Sequence, residues 1–214
     1  MVVNKSTRRV ALGGLTLGGI MFGIASLLVL RQRYAHRGAS GAEKRYPLVA
    51  PGYVQHSVRA LDIRATPADV FAWLKQLGQD KGGFYSYAAL ENLLGLGIQN
   101  TDRIHPEWQS LKKGDAVQFA ARPEVKAAVT ALNENRHLQL QFGSENMHFS
   151  WDFHLFSTAD GYGPKTRLVV ATGLKGSSRT HAFWRWLGDL PHGIMEWGLL
   201  RGVQKRAELY PTER

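Results

Sequence analysis

The sequence predicts an α+β fold in which an antiparallel sheet packs against a long C-terminal helix, preceded by one transmembrane helix. Three features support this prediction: an apolar run at residues 10–30, five alternating stretches between residues 116 and 173, and a helical repeat near the C-terminus. The chain of 214 residues is 44% hydrophobic and 21% charged, which is typical of a globular protein. It contains no cysteine, so disulfides, thiolate zinc sites and thiol catalysis are excluded.

The apolar run at residues 10–30 contains only two polar residues, Thr16 and Ser26. As a helix it would be about 31 Å long, which matches a hydrocarbon core of about 30 Å. No clear cleavage site follows it, which favours a retained anchor and a single-pass membrane location. The alternative is a cleaved export signal, because Arg8 and Arg9 precede the run as in twin-arginine signals. Two glycine pairs would also allow a homodimer through this helix, namely Gly14 with Gly18 and Gly19 with Gly23.

The net charge of +10 is concentrated near the N-terminus, where residues 1–45 hold eight Lys and Arg residues and one Glu. The other residues hold 19 Lys and Arg against 16 Asp and Glu, too small an excess for tracking nucleic-acid phosphates. No nucleic-acid partner is therefore predicted. The expected segments are a basic N-terminus at 1–9, the transmembrane helix at 10–30, a basic juxtamembrane linker at 31–52, and one domain at 53–214.

The domain is predicted to begin with a strand at residues 54–63, followed at once by a helix. Thr66 can cap this helix, Pro67 suits its first position, and Asp69 completes the spacing of a capping box. The helix should end before Gly78. A second, short helix is predicted after Ser86, ending near residue 95.

Five strands are predicted next, at residues 116–121, 127–132, 137–142, 148–157 and 167–173. The short connections between them favour antiparallel hairpins. In the fourth of these strands, one face carries four apolar residues, Phe149, Trp151, Phe153 and Leu155, and the other carries Ser150, Asp152 and His154. This alternation is typical of a sheet with one covered face.

The chain is predicted to end in a helix that is interrupted near Pro191 and continues to about Leu209. Small and apolar residues recur on one side of it at helical spacing: Met195, Gly198, Leu199, Gly202 and Val203. A glycine inside a helix costs about 1 kcal/mol relative to alanine. We therefore expect the two glycines to leave space or to allow close approach of another segment.

Residues 76–115, QLGQDKGGFYSYAALENLLGLGIQNTDRIHPEWQSLKKGD, resemble a recurrent motif of the SRPBCC superfamily, which includes START-like, Bet v 1-like and polyketide cyclase-like proteins. The segments SWDFHLF at 150–156 and TRLVV at 166–170 are similar to paired strands of the same group. The resemblance covers residues 53–209 and implies a helix-grip fold, in which a curved sheet surrounds the C-terminal helix. It also implies an apolar pocket, which members use for lipids, sterols, aromatic polyketides or other hydrophobic molecules.

The predicted function is therefore membrane-anchored binding of a hydrophobic small molecule or lipid, without a metal or cofactor. The candidate ligand-binding residues are aromatic: Tyr85, Tyr87, Trp108, Phe149, Trp151 and Phe153. For the three residues of the strand, ordinary core packing is the alternative. A third possibility is a membrane-anchored interaction module that dimerises through the glycine pairs.

A cyclase or dehydrase acting on an aromatic or polyketide-like substrate is the enzymatic alternative. In it, His105 or Tyr85 would transfer protons and Arg103 would stabilise an enolate. The sequence favours a protein that is not an enzyme, because no nucleophile and base lie at a recognisable catalytic spacing. The alternative is a structural role, in which Asp102 and Arg103 form an ion pair that holds the loop in place. The pairs His105 with Glu107 and Asp152 with His154 fall short of the three ligands that a metal site needs.

Overall fold

The computed structural model describes residues 23–87, 99–121, 124–161, 163–177, 179, 182 and 188–210. This part of the chain contains the helices and strands named below, together with a 3₁₀ turn at Pro106–Trp108. In chain order the elements are α1 (residues 23–35), α2 (Gly41–Arg45), β1 (Val54–Ile63), α3 (Pro67–Lys75), β2 (Ala116–Ala121), β3 (Glu124–Asn133), β4 (His137–Ser144), β5 (Met147–Asp160), β6 (Gly163–Gly176) and α4 (Asp189–Leu209).

The six strands form one antiparallel sheet in the order β1-β6-β5-β4-β3-β2. Helices α3 and α4 pack on one face, called the inner face here, and on each other. Register shifts in β2 and β3 are the kind of bulge that bends a sheet. The predicted α+β, helix-grip architecture is confirmed, and all six strands lie where the alternating pattern predicts them.

Helix α3 begins with the predicted capping box. The Thr66 side chain accepts a hydrogen bond from the Asp69 amide, and the Asp69 carboxylate accepts one from the Thr66 amide. Val70, Phe71 and Leu74 then turn into the core. The short helix predicted after Ser86 falls on residues 88–98, which lie outside the described residues.

Helix α4 runs from Asp189 to Leu209 and so begins close to the predicted interruption near Pro191; residues 183–187, before it, lie outside the described residues. Pro191 lies in the first turn, where a helix tolerates a residue without an amide hydrogen. The glycines in α4 do allow close approach. A Cβ on Gly202 would lie 1.9 Å from the Tyr85 carbonyl oxygen, and one on Gly198 would lie 2.8 Å from the Tyr87 ring.

Residues 31–52, predicted as a linker, contain segments that pack on the outer face of the sheet at β1 and β6. Leu48 and Val49 pack against a small cluster of buried residues on that face, Val58, Ala60, Val169 and Ala171. Helix α2 is tied to β6, because the guanidinium of Arg167 pairs with Glu43 at 2.9 Å and donates to the Gly38 carbonyl at 2.7 Å. This part of the outer face is therefore packed against polypeptide, and Ser150 and Asp152 are buried on the same face.

The structure corrects the predicted location. Among the described residues, no helix has the length and apolar character needed to cross a membrane, which contradicts the predicted single-pass membrane location. Residues 10–22 of the predicted span, including Gly14, Gly18 and Gly19, lie outside the described residues. Helix α1 is joined to the domain at its charged end, since Arg31 pairs with Asp189 of α4 at 2.9 Å.

Candidate ligand-binding site

A continuous layer of aromatic rings lines the inner face of the sheet. Phe119 is central, with ring centroids 5.3 Å from Phe84, 4.8 Å from Phe142 and 5.6 Å from Trp151. The layer continues from Phe142 to Phe149 at 5.0 Å and from Trp151 to Phe153 at 4.8 Å. Phe119 and Phe142 remain partly exposed whereas the three residues from β5 are buried, so the layer is accessible from the side of β2 and β4.

The aromatic layer meets a buried ion pair where it reaches α4. The indole nitrogen of Trp151 donates to Glu196 Oε1 at 2.7 Å, and Glu196 Oε2 pairs with Nη1 of Arg59. The side chains of Arg59 and Glu196 are both 0% exposed. Sequence reasoning missed this pair, because the two residues are 137 positions apart and neither belongs to a local motif.

Several groups hold the Arg59 guanidinium in place. Nη1 also donates to Ser57 Oγ at 3.0 Å, and Nε donates to the backbone carbonyl of Tyr34 in α1. A Cβ on Gly193 would lie 2.7 Å from Nη2, so glycine is needed there to make room. Nη2 has no hydrogen-bond partner among the described residues, and neither has the buried hydroxyl of Thr172, which lies across from Ser57 in the sheet.

The ionisation states of this cluster follow from its burial. Burial lowers the pKa of Arg59 to about 10, partly opposed by the negative charge of Asp189, so the guanidinium keeps its proton at neutral pH. Burial and the positive charge of Arg59 lower the pKa of His192 to about 3, which leaves that imidazole neutral. Its ring lies 6.1 Å from Trp151, edge to face. The cluster thus combines a protonated guanidinium, the carboxyl group that pairs with it and a neutral ring.

Tyr85 and Tyr87, two predicted ligand residues, lie in the segment that packs on α4. Tyr85 is only 3% exposed, and its hydroxyl donates to the Trp73 carbonyl at 3.2 Å. Burial raises the pKa of that hydroxyl, and the Arg206 guanidinium lies 4.7 Å from its ring. Tyr87 is largely exposed and contacts Gly198. Both therefore make packing contacts, apart from the aromatic layer that holds Phe149, Trp151 and Phe153.

His105 and Arg103 lie together in a loop, apart from the Tyr85 hydroxyl. Arg103 Nε donates to His105 Nε2 at 3.2 Å, and His105 Nδ1 lies 3.1 Å from a Glu107 oxygen. The His105 ring stacks on Trp108 at 4.0 Å. The expected ion pair between Asp102 and Arg103 is replaced by one between Asp102 and Arg206, at 2.7 Å.

The fully buried Gln76 holds this loop, a role that no local sequence pattern predicts. Its Nε2 donates to the Arg103 carbonyl at 3.1 Å, and its Oε1 accepts from the His105 amide at 3.1 Å. Tyr85, Arg103 and His105, the residues of the enzymatic alternative, are thus held by hydrogen bonds to neighbouring residues of the domain. On the outer face, His137, Asp152 and His154 bring three potential metal ligands together, where the sequence suggested only two.

Comparison with known proteins shows no matching family model and no match among curated proteins. Solved structures match with low identity. The Aha1 dimer from Colwellia psychrerythraea is 14% identical, covering 72% of this chain and 96% of that one, with a TM-score of 0.42. The KanY protein is 17% identical, covering 73% of this chain and 99% of that one, with a TM-score of 0.41. Major latex-like protein 151 from Panax ginseng is 15% identical, covering 78% of this chain and 99% of that one, with a TM-score of 0.38. At such TM-scores neither a ligand nor an activity can be transferred to this chain.

Proposed function

We propose that this protein binds a hydrophobic small molecule or lipid between the inner face of the sheet and α4, with a polar group of that molecule held beside Arg59. The observation that carries the proposal is the junction at Trp151. Its ring belongs to the aromatic layer, and its indole nitrogen donates a hydrogen bond to Glu196. The Glu196 carboxylate in turn pairs with Arg59, and neither side chain is exposed to solvent. Apolar pockets with a few fixed polar groups are the usual sites for small molecules.

Stability alone accounts poorly for the buried pair. Removing two charges from water costs several kcal/mol per ion, and apolar replacements of a buried pair are often neutral or stabilising. Fixed charges in an apolar site are more readily explained by recognition of a polar group. Because Arg59 Nη2 is a donor with no described partner, the favoured ligand class is an apolar body that carries a carbonyl, carboxylate or hydroxyl oxygen.

The first test is to identify what the full-length protein carries. Native mass spectrometry of the purified protein, followed by solvent extraction, should show a bound apolar molecule that bears an oxygen-containing polar group. Dye binding supplies a second test, with anilinonaphthalene sulfonate as the probe. Saturable binding of the dye, displaced more strongly by decanoate than by decane, would support an apolar site with a polar anchor.

Phe142→Ala opens the accessible edge of the aromatic layer and should weaken dye binding about tenfold, since truncating an anchoring aromatic typically costs more than 1 kcal/mol. Phe156→Ala is the matched control, because Phe156 is an exposed aromatic on the other face of β5. Dye binding that does not saturate, or that weakens equally in both variants, would rule out the site.

A further inference from the structure

His137, Asp152 and His154 form a cluster on the outer face of the sheet. His137 on β4 lies directly across from His154 on β5, and their rings stack at 4.4 Å between centroids. Asp152 precedes His154 by two residues and so points to the same face. One nitrogen from each histidine and one carboxylate oxygen all lie within 4.8 Å of one another.

We propose that these three residues bind a divalent first-row transition metal ion, of which Zn²⁺ is the representative. Two imidazole nitrogens and one carboxylate oxygen are a common ligand set for such ions. Metal–ligand bonds of about 2.0–2.2 Å place neighbouring ligand atoms roughly 3–3.5 Å apart. His137 Nε2 and Asp152 Oδ1 already meet this spacing at 3.2 Å, and all three ligand atoms lie within 4.8 Å of one another. Three protein ligands leave a further position for water.

The groups around the cluster orient it as metal ligands require. Asp152 is 1% exposed, and its carboxylate accepts hydrogen bonds from Gln139 Nε2 at 2.6 Å and from the Ser150 hydroxyl. His154 Nε2 lies 2.7 Å from the Leu48 carbonyl, which can only accept, so this nitrogen carries the proton and Nδ1 keeps the lone pair. Metal-binding histidines usually donate their second nitrogen in this way, and ligating carboxylates are usually hydrogen-bonded.

The cluster is accessible to ions and separate from the proposed ligand site. A groove lined by residues 133–137 and 154–157 runs past both histidines, and His137 keeps 18% of its side chain exposed. The aromatic layer lies on the opposite face of the sheet. Metal binding here therefore neither requires nor excludes a hydrophobic ligand on the inner face, and the two proposals can fail independently.

The test is titration of the untagged, full-length protein with Zn²⁺ by calorimetry, after removal of metal with a chelator. We expect one Zn²⁺ per chain. His137→Ala and His154→Ala should each weaken binding by at least about tenfold, since even residues that only support a metal ligand contribute about 10- to 100-fold. His148→Ala is the matched control, because His148 is exposed on the same face of β5, outside the cluster, and should leave the affinity unchanged.

A measurement on the wild-type protein avoids any dependence on how the variants fold. Long-range proton–nitrogen correlation spectra should show that Zn²⁺ shifts the ring nitrogens of His137 and His154 while those of His148 stay in place. Absence of stoichiometric Zn²⁺ binding by the wild type would overturn the proposal. So would a folded His137→Ala variant that binds Zn²⁺ as tightly as the wild type.

Discussion

Arg59 on β1 and Glu196 on α4 form an ion pair although neither side chain is exposed to solvent. The pair joins the first strand to the last helix, and Trp151 donates to the second carboxylate oxygen of Glu196. In such a setting each charge is tolerated only because the other is present. The stability of the domain and the proposed polar anchor of the ligand site therefore depend on the same two residues.

Replacing one member of this pair should lower the free energy of unfolding much more than replacing both. Arg59→Met or Glu196→Leu leaves an uncompensated buried charge, and each should lower the free energy of unfolding by about 3–5 kcal/mol. The double variant should lose less than either single variant, because it leaves neither charge buried without the other. Urea unfolding, followed by circular dichroism, measures all three.

Glu134→Ala is the control for these three variants. It removes the ion pair between Glu134 and Lys75, in which the Glu134 side chain is exposed to solvent. It should change the free energy of unfolding by less than about 1 kcal/mol. Strictly additive losses for Arg59→Met and Glu196→Leu would show that the two side chains do not compensate each other.

The sequence predicted the elements whose signals are local. The capping box at Thr66 and Asp69 lies within four residues, and the alternation around Trp151 lies within one strand, so both could be read directly. The helical stripe with Gly198 and Gly202 correctly indicated close approach, but not the partner. The partner is the backbone at Tyr85, more than a hundred residues away, and such a pairing depends on the complete fold.

The candidate sites were harder to predict because they depend on tertiary contacts. Asp152 and His154 alternate with apolar residues and so were expected to face solvent. Residues 31–52 instead pack on part of that face, where the Leu48 carbonyl accepts a hydrogen bond from His154. The third possible ligand, His137, comes from another strand through the β4–β5 register. Arg59 is likewise a charged residue whose burial becomes understandable only when Glu196 is placed beside it.

Gly202→Ala should destabilise the protein, although the same change inside a helix normally stabilises it by up to about 1 kcal/mol. The new Cβ would lie 1.9 Å from the Tyr85 carbonyl oxygen, so α4 or the segment at Tyr85 must move. A loss of about 1–3 kcal/mol is expected from such overpacking and is measurable by thermal or urea unfolding. Gly198→Ala should be milder, because it meets the exposed ring of Tyr87, which can shift. A stabilised Gly202→Ala variant would contradict the close contact.

Gln76→Ala should loosen the loop that holds His105. The substitution removes the acceptor of the His105 amide and the donor to the Arg103 carbonyl. Each buried group left without a partner costs about 1–3 kcal/mol, so hydrogen exchange at the His105 amide should accelerate at least tenfold. Gln141→Ala is the control, because the Gln141 side chain donates to Gln139 on the sheet, away from this loop. Unchanged hydrogen exchange at the His105 amide in the Gln76→Ala variant would show that other contacts hold the loop in place.

The ion pair between Glu43 and Arg167 should make the attachment of α2 sensitive to acid. Hydrogen bonds from Arg167 lower the pKa of Glu43 from 4.5 to about 2 in the folded protein. Because the folded-state pKa lies below the unfolded one, this stabilisation is complete above pH 4.5 and is lost as the pH falls toward 2. Glu43→Gln keeps a side chain suited to the capping box with Ser40 but removes the charge.

The Glu43→Gln variant should therefore be less stable than the wild type at pH 7 and equally stable near pH 2. Urea unfolding at a series of pH values between 2 and 7 measures the difference, which should be modest because the pair is partly solvated. In a protein that already carries Arg167→Gln, the further change Glu43→Gln should alter the acid profile little. A difference between wild type and Glu43→Gln that stays constant from pH 7 to pH 2 would show that the charge of Glu43 does not fasten α2 to the sheet.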